Sequence, residues 1–215
     1  MLFDLEGTLV ESAYQRYPDI IQKLREETRK RLVDLGVPRH ILAELVRSST
    51  MRNRAYRWAE ENGSPGEVYN LKEGMEEFMA EYDMAAARKA RLYPETLGVL
   101  KALWERKVMM AIVTNTSSDA AYNMLGKLGL GRYFTTVVTR SDTLKMKPDP
   151  EMVRLAELRM GAQAGWLVGD SHFDAVAAQR SGIFSIIVRR DGVRPDFKHD
   201  CFIDSLDSLP SMLGI

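Results

Sequence analysis

One cysteine, Cys201, stands in 215 residues. An intrachain disulfide and a cysteine-based zinc site are therefore excluded. An excess of charge of either sign is also missing, because 30 Lys and Arg balance 30 Asp and Glu. The chain has no general pull toward nucleic acid or an anionic membrane, and any basic site must be local. Long apolar runs are absent too. The longest, "VMMAIV" (108–113), is far too short to cross a bilayer. The start carries no basic stretch followed by a long apolar one, so no secretory signal is expected. These absences lead to the expectation of a soluble cytoplasmic protein that meets neither nucleic acid nor membrane; a monomer or a homodimer is expected, with no residue deciding between them.

What is present is 45% hydrophobic, enough for one large domain or for one domain with a smaller insert. Short apolar runs recur: "MLFDL", "VMMAIV", "TTVVT" (135–139), "WLVG" (166–169) and "IFSIIV" (183–188). Continuous runs of this length fit parallel strands covered on both faces. Helical patterns lie between them. Ala121, Met124, Leu125 and Leu128 share one helix face. Asp149 and Pro150 read as the N-cap and first residue of a helix that runs to about Met160, with Gly161 ending it. Strands alternating with such helices predict right-handed βαβ units in an open parallel sheet, a Rossmann-like α/β core.

Residues 13–92 break that rhythm. Ile21, Leu24, Thr28, Leu32 and Leu35 form a helical stripe, 39–61 is helical in composition apart from "SST", and a last helix runs from about Leu71 to Lys89. "NGSPGE" (62–67) reads as a loop between them. The expected organisation is a core of 1–12 and 93–215 with an all-helical insert, 13–92.

In open parallel sheets, ligands bind beyond the carboxyl ends of the strands. The polar residues that follow the strands are Asp4 and Glu6 in "DLEGT", Thr114 and Asn115, and Asp170 and Asp174 in "GDSHFDA", while Lys147 precedes a helix in "KMKPDP". Gly7 lets the chain turn sharply just after Asp4 and Glu6. Acids at this density repel one another unless a cation joins them, and hard oxygen ligands suit Mg²⁺.

The order "FDLEGTLVES … IVTNTS … KPDP … VGDSHFDA" resembles the haloacid dehalogenase-like superfamily of phosphohydrolases, above all its phosphoglycolate phosphatase and β-phosphoglucomutase subgroup. Each motif alone is weak, but the four in this order and spacing cover the whole chain, and the insert corresponds to that family's cap. The resemblance implies a Mg²⁺-dependent phosphatase acting on a small phosphorylated metabolite. Asp4 would be the nucleophile that becomes an aspartyl phosphate, and Glu6 the general acid and base. Thr114 and Asn115 would hold the phosphoryl group, and Lys147 would neutralise charge. Asp4, the Glu6 carbonyl and Asp170 would ligate the metal, and Asp174 would hold its water shell or Lys147.

Glu6 stands where these phosphatases usually carry aspartate, and its extra methylene moves the carboxyl by about 1.5 Å. The resemblance extends to enolase-phosphatases with "D-x-E-G-T", so glutamate alone does not mean lost activity. Dehalogenation is harder to reconcile, because it has no use for the acid at Glu6 or for "GDSHFDA". Two alternatives stay open, a β-phosphoglucomutase-like phosphomutase and a non-catalytic binding module. Taken singly, Asp4 and Glu6 could be an acidic turn, Lys147 a surface lysine and Asp174 a helix N-terminal acid. Lys145 is read as the decoy beside Lys147, His172 as a loop residue flanking the site, His40 and His199 as structural or exposed, and Trp104 and Trp166 as core. In the insert, Arg47, Arg52, Arg54 and Arg57 crowd one region, where a guanidinium could clamp a substrate carboxylate or phosphate. Arg54 is the substrate-binding candidate, although a solvated basic helix face explains the cluster equally well.

Overall fold

The computed structural model describes residues 1–11 and 18–214. Six strands form one wholly parallel sheet: β1 (Leu2–Phe3), β2 (Ala111–Val113), β3 (Thr136–Val138), β4 (Trp166–Gly169), β5 (Phe184–Val188) and β6 (Cys201–Ile203). Their spatial order is β3-β2-β1-β4-β5-β6. The order reverses direction between β1 and β4, and there the crevice for a ligand opens at the carboxyl ends of the strands. The register places Leu2 beside Ala111 and Leu167, and Phe3 beside Ile112 and Val168. Successive side chains point to opposite faces. Leu2 accordingly joins an apolar cluster with Met152, Val153 and Ala177, while Phe3 joins one with Leu100, Leu103 and Met124. Burial on both faces explains the continuous apolar runs. The strand β6, in "CFI", has too short a run to stand out in sequence.

The core helices are α4 (Thr96–Glu105), α5 (Ser118–Lys127), α6 (Glu151–Met160), α7 (His172–Ser181) and the short α8 (Ser208–Met212). The helix α6 starts one residue later than the sequence suggests, with Asp149 Oδ1 accepting from the Glu151 N–H at 3.1 Å, and it ends on Gly161 at φ 65°. Trp104, expected in the core, is 58% exposed. The buried face of α4 is Val99, Leu100 and Leu103, and Trp104 falls one position off it. Trp166 is half-buried against Phe184, with ring centroids 4.9 Å apart.

Among the described residues, three α-helices precede α4: α1 (Pro18–Asp34), α2 (Ser48–Asn62) and α3 (Pro65–Lys89). They enclose a separate apolar cluster around Leu32, Met51, Tyr56, Leu71 and Met75. Two details differ from the sequence reading. "SST" is the first turn of α2 rather than an interruption. "NGSPGE" holds the start of α3, where Ser64 and Glu67 form a reciprocal capping box and Pro65 is the first helical residue. The expected boundary at 12/13 lies outside the described residues. Either side of it, Val10 bridges antiparallel to Leu92 and the Glu11 N–H donates to Arg91 O at 2.8 Å, so the two linkers run side by side. No helix among the described residues is long and apolar enough to cross a membrane.

Candidate active site

The nucleophile candidate follows β1 directly. The Asp4 N–H donates to Val168 O at 2.8 Å, which continues the β1–β4 ladder and holds Asp4 at the point where the strand order reverses. Gly7, at φ +89°, then swings the chain back, and the Gly7 N–H donates to Val10 O at 2.7 Å. A side chain at Gly7 could not be tolerated, because its Cβ would lie 2.2 Å from Asp170 Oδ2. Gly169 is constrained in the same way, with a Cβ there falling 2.2 Å from Asp174 Cγ. The two glycines let the carboxylates that follow β4 close on the turn that follows β1.

Lys147 lies at the centre. It is 2% exposed, and Nζ donates to Asp4 Oδ1 and to Asp174 Oδ1, each at 2.6 Å. Its backbone is fixed by Asn115, which donates from Nδ2 to Lys147 O at 3.0 Å and accepts from the Lys147 N–H at 2.9 Å. The cap helix α2 holds the preceding residue in the same way, Asn53 donating to Met146 O at 2.6 Å and accepting from the Met146 N–H at 2.9 Å. Asn115 therefore lines the cavity but uses its amide to hold the lysine loop rather than presenting it to substrate. The second oxygen of Asp174 accepts from Ser171 N at 3.1 Å and Ser171 Oγ at 2.5 Å, so Asp174 both caps α7 and steadies Lys147. Lys145 points to the cap instead and pairs with Glu60 at 2.6 Å.

Asp4, Asp170 and Asp174 each offer an oxygen within 4.8 Å of the others. Three carboxylates thus face one ammonium, and the proton affinities of Asp4 and Asp170 respond. Burial pushes the Asp4 carboxyl up to about 6, with Asp174 adding repulsion and Lys147 only partly offsetting both. Asp170 is raised well above the ordinary carboxylate range, by burial first and then by the charges of Asp4 and Asp174. An all-oxygen donor set with excess negative charge fits a hard divalent cation such as Mg²⁺. Asp4 and Asp170 have the oxygens to hold it, whereas the contacts of Asp174 tie that residue to Lys147 and Ser171.

Glu6 is half-buried beside them. Oε2 accepts from Thr116 Oγ1 at 2.8 Å, and Thr116 Oγ1 also accepts from Thr114 Oγ1 at 3.1 Å. Burial, then the negative charge of Asp83 on α3, pushes Glu6 up to about 7. A carboxyl at that value can give a proton and take it back near neutral pH. Thr116 and Asp83 were not found from sequence, nor was Arg140. The Arg140 guanidinium is fully buried, 2.7 Å from Asp83 and 3.1 Å from Glu76, and donates to Asn115 O at 3.2 Å. Arg140 comes two residues after β3, so its position near a strand end was an available signal. Asp83 offered none, being one acid among many on a long helix.

A cavity of about 310 Å³ joins these groups to the cap. Its core wall carries Asp4, Glu6, Thr114, Lys147 and Asp170; its cap wall carries Arg25, Arg47, Ser48, Ser49 and Asp83. Arg54, the sequence candidate, is exposed and does not line the cavity. The buried face of α2 passes through Met51, Arg52, Ala55, Tyr56 and Ala59, and Arg54 and Arg57 lie off it. Arg52 is fully buried and pairs with Glu76 at 2.6 Å. Arg47 sits at the mouth, its guanidinium carbon 5.0 Å from the Phe173 ring centroid. His172 is the exposed first residue of α7 and does not line the cavity.

The burial of these carboxyls has a consequence for stability. Asp4 and Glu6 bind protons more tightly in the folded chain than at their ordinary values of 3.8 and 4.5. The stability this contributes is present at low pH and lost as pH rises through about 6 and about 7. A bound cation should relieve the loss. Mg²⁺ at about 100 times its Kd is expected to add about 2.7 kcal/mol, raising Tm by roughly 5–10 °C near pH 8 and distinctly less near pH 5. Melting curves with Mg²⁺ and with chelator at the two pH values check this; equal Mg²⁺ gains at both would contradict it.

Comparison with known proteins shows the family. The sequence pattern of the haloacid dehalogenase-like hydrolases matches residues 1–188. A phosphoglycolate phosphatase of Cupriavidus necator is 31% identical over 222 residues, covering 99% of this chain and 92% of that protein. Among solved structures, a HAD phosphatase from Thermococcus onnurineus superposes with a TM-score of 0.62 at 26% identity, over 99% of this chain and 96% of that one. A 2-haloacid dehalogenase from Pseudomonas syringae superposes with a TM-score of 0.63 at 24% identity, over 99% and 96%, a likeness of fold alone. The chain belongs to the haloacid dehalogenase-like hydrolases, in their phosphoglycolate phosphatase-like branch of phosphatases.

Proposed function

We propose that this phosphatase hydrolyses a small phosphate monoester that carries a second anionic group, phosphoglycolate or a similar phosphorylated acid, through an aspartyl phosphate on Asp4 and with Mg²⁺. The observation that carries this reading is the buried fork in which Lys147 holds Asp4 Oδ1 at 2.6 Å, beside Asp170 and facing the cavity. An oxygen of Asp4 attacks phosphorus in line, while Glu6, protonated, gives its proton to the departing alkoxide. The acyl phosphate forms as the ester P–O bond breaks, and the alcohol leaves. Glu6, now ionised, takes a proton from a water that attacks the aspartyl phosphate, which returns Asp4 as carboxylate and releases phosphate. Thr114 and Lys147 bind the phosphoryl oxygens as charge builds on them. When bound by Asp4, Asp170 and the Glu6 carbonyl, Mg²⁺ supplies further neutralisation of that charge.

The second anion is proposed from the cap wall. Arg25, Arg47, Ser48 and Ser49 line the cap side of the cavity, whose core side carries Asp4, Glu6 and Asp170. Guanidinium matches carboxylate and phosphate bidentately. Arg25→Gln is therefore expected to raise KM for phosphoglycolate about 10–100-fold with a small change in kcat, because the contact is made equally before and during the reaction. The reading as a whole is tested by phosphate release from phosphoglycolate and a panel of small esters, with Mg²⁺ and with excess chelator. Turnover that needs Mg²⁺ supports it, and a full rate in chelator contradicts it.

A further inference from the structure

Beyond the end of β5, Arg190 turns back across the carboxyl edge of the sheet and meets two segments at once. Nη1 donates to Gly7 O at 3.1 Å and Nη2 to Thr8 O at 2.9 Å. Nε donates to Glu95 Oε1 at 2.8 Å, and the same oxygen lies 2.7 Å from Nη2. The guanidinium carbon sits 3.3 Å from the Tyr93 ring centroid. Tyr93 and Glu95 belong to the return linker from the cap and the residue before α4. Gly7 and Thr8 follow Glu6 directly and open the outgoing linker.

These contacts bracket Glu6. On its amino side, the Asp4 N–H is held by Val168 O. On its carboxyl side, the next two carbonyls are held by one side chain. Between the two anchors lies Gly7, in the left-handed region that offers an L residue no steric resistance only when it is glycine. A glutamate with three side-chain torsions, attached beside such a pivot, needs its backbone fixed if its carboxyl is to stay within hydrogen-bond reach of a leaving oxygen. The Arg190 fork is well suited to this. It is planar, its donors have fixed directions, and its plane and outer edge are themselves set by Tyr93 and Glu95.

We propose that Arg190 is a positioning residue for the phosphatase reaction: it locks the Gly7–Thr8 turn so that the Glu6 carboxyl is kept beside Asp4. This rests on the reading of Glu6 as acid and base. A misplacement of about 1 Å at a reacting group can cost about 10²-fold in rate. Arg190→Met is therefore expected to lower kcat about 10–100-fold on an alkyl phosphate, while KM moves by less than about threefold. Arg190→Lys, which keeps the charge but loses the fork, is expected to recover only part of that rate.

The deciding readout is a double-mutant cycle with Glu6→Gln, using kcat. If Arg190 acts through Glu6, Arg190→Met costs less than about twofold once Glu6 can no longer move a proton. The same loss in both backgrounds, or a wild-type kcat in Arg190→Met, overturns the proposal. Should Arg190→Met fail to fold, Arg190→Lys is read through the same cycle with the same criteria. Glu6→Gln alone separates the two levels: if it keeps the wild-type rate, the reading of Glu6 falls. If it is slow while the arginine variant is normal, only the role of Arg190 falls.

Discussion

Asp4→Asn should leave a folded protein with turnover lowered by about 10⁴–10⁶-fold, the range found when a covalent nucleophile is removed. The amide is nearly isosteric with the carboxylate and can still accept from Lys147, so the lysine fork keeps a partner. The change also removes one of the crowded negative charges beside Asp170 and Asp174. Tm measured in chelator should therefore hold or rise near pH 8, because a carboxyl whose proton affinity burial pushes up to about 6 is a cost to the folded state above that pH. Loss of activity with retained or improved stability is what separates a nucleophile from a structural acid. Near-wild-type hydrolysis by a pure Asp4→Asn sample would remove the covalent mechanism.

Lys147→Met should damage both properties. The ammonium is 2% exposed and bridges two carboxylates at 2.6 Å each. Removing one member of a buried, hydrogen-bonded ion group costs about 3–5 kcal/mol, because the remaining charges are left uncompensated. For a chain of this size the expected fall in Tm is roughly 6–20 °C in chelator. Turnover should fall about 10²–10³-fold or more, the cost of losing one preorganised donor to the transferring group. Mg²⁺ should recover part of the stability, since it neutralises the same acids, and much less of the rate. Thermal melts and initial rates with and without Mg²⁺ check both, and an unchanged Tm together with an unchanged rate would remove Lys147 from the site.

The core of this site was legible in sequence for a physical reason. Asp4, Thr114 and Asp170 each come directly after an apolar strand, and parallel strands deliver such residues to one edge. Lys147 and Asp174 could be placed because a helix start follows or contains them. The same logic reaches Arg140 after β3, whose role is buried pairing with Asp83 and Glu76. The cap was harder. Its residues face the site according to helix phase, and phase depends on where each helix begins. Reading "SST" as a break hid the start of α2 and left Arg54 as a candidate, when the cavity wall is Arg47, Ser48 and Ser49 at that helix start and Arg25 on α1. Reading "NGSPGE" as a loop missed a capping box that stood in the sequence as Ser64 and Glu67. Asp83, Thr116 and Arg190 could not be reached from local pattern, because their partners are 34 residues away at Ser117, 110 at Glu6, and 182 to 183 at Thr8 and Gly7. Trp104 shows the limit of composition: a large aromatic on a core helix lies on the surface because it is one position out of phase.

Glu6 connects these results, since it lines the cavity beside Asp4 and is pushed up to about 7 by burial and then by the charge of Asp83. Glu6→Gln is expected to slow turnover of an alkyl ester by about 10²–10⁴-fold. With an activated leaving group such as nitrophenolate, protonation matters less, so the first step is spared while the water-dependent second step is not. The most direct measurement is therefore to quench Glu6→Gln in acid during turnover of nitrophenyl phosphate and map the phosphoryl group by mass spectrometry of peptides. The expected result is phosphate on the peptide bearing Asp4, absent from the Asp4→Asn, Glu6→Gln double variant. Continued turnover with no phosphorylated peptide, or with the label on another residue, would contradict covalent catalysis by Asp4.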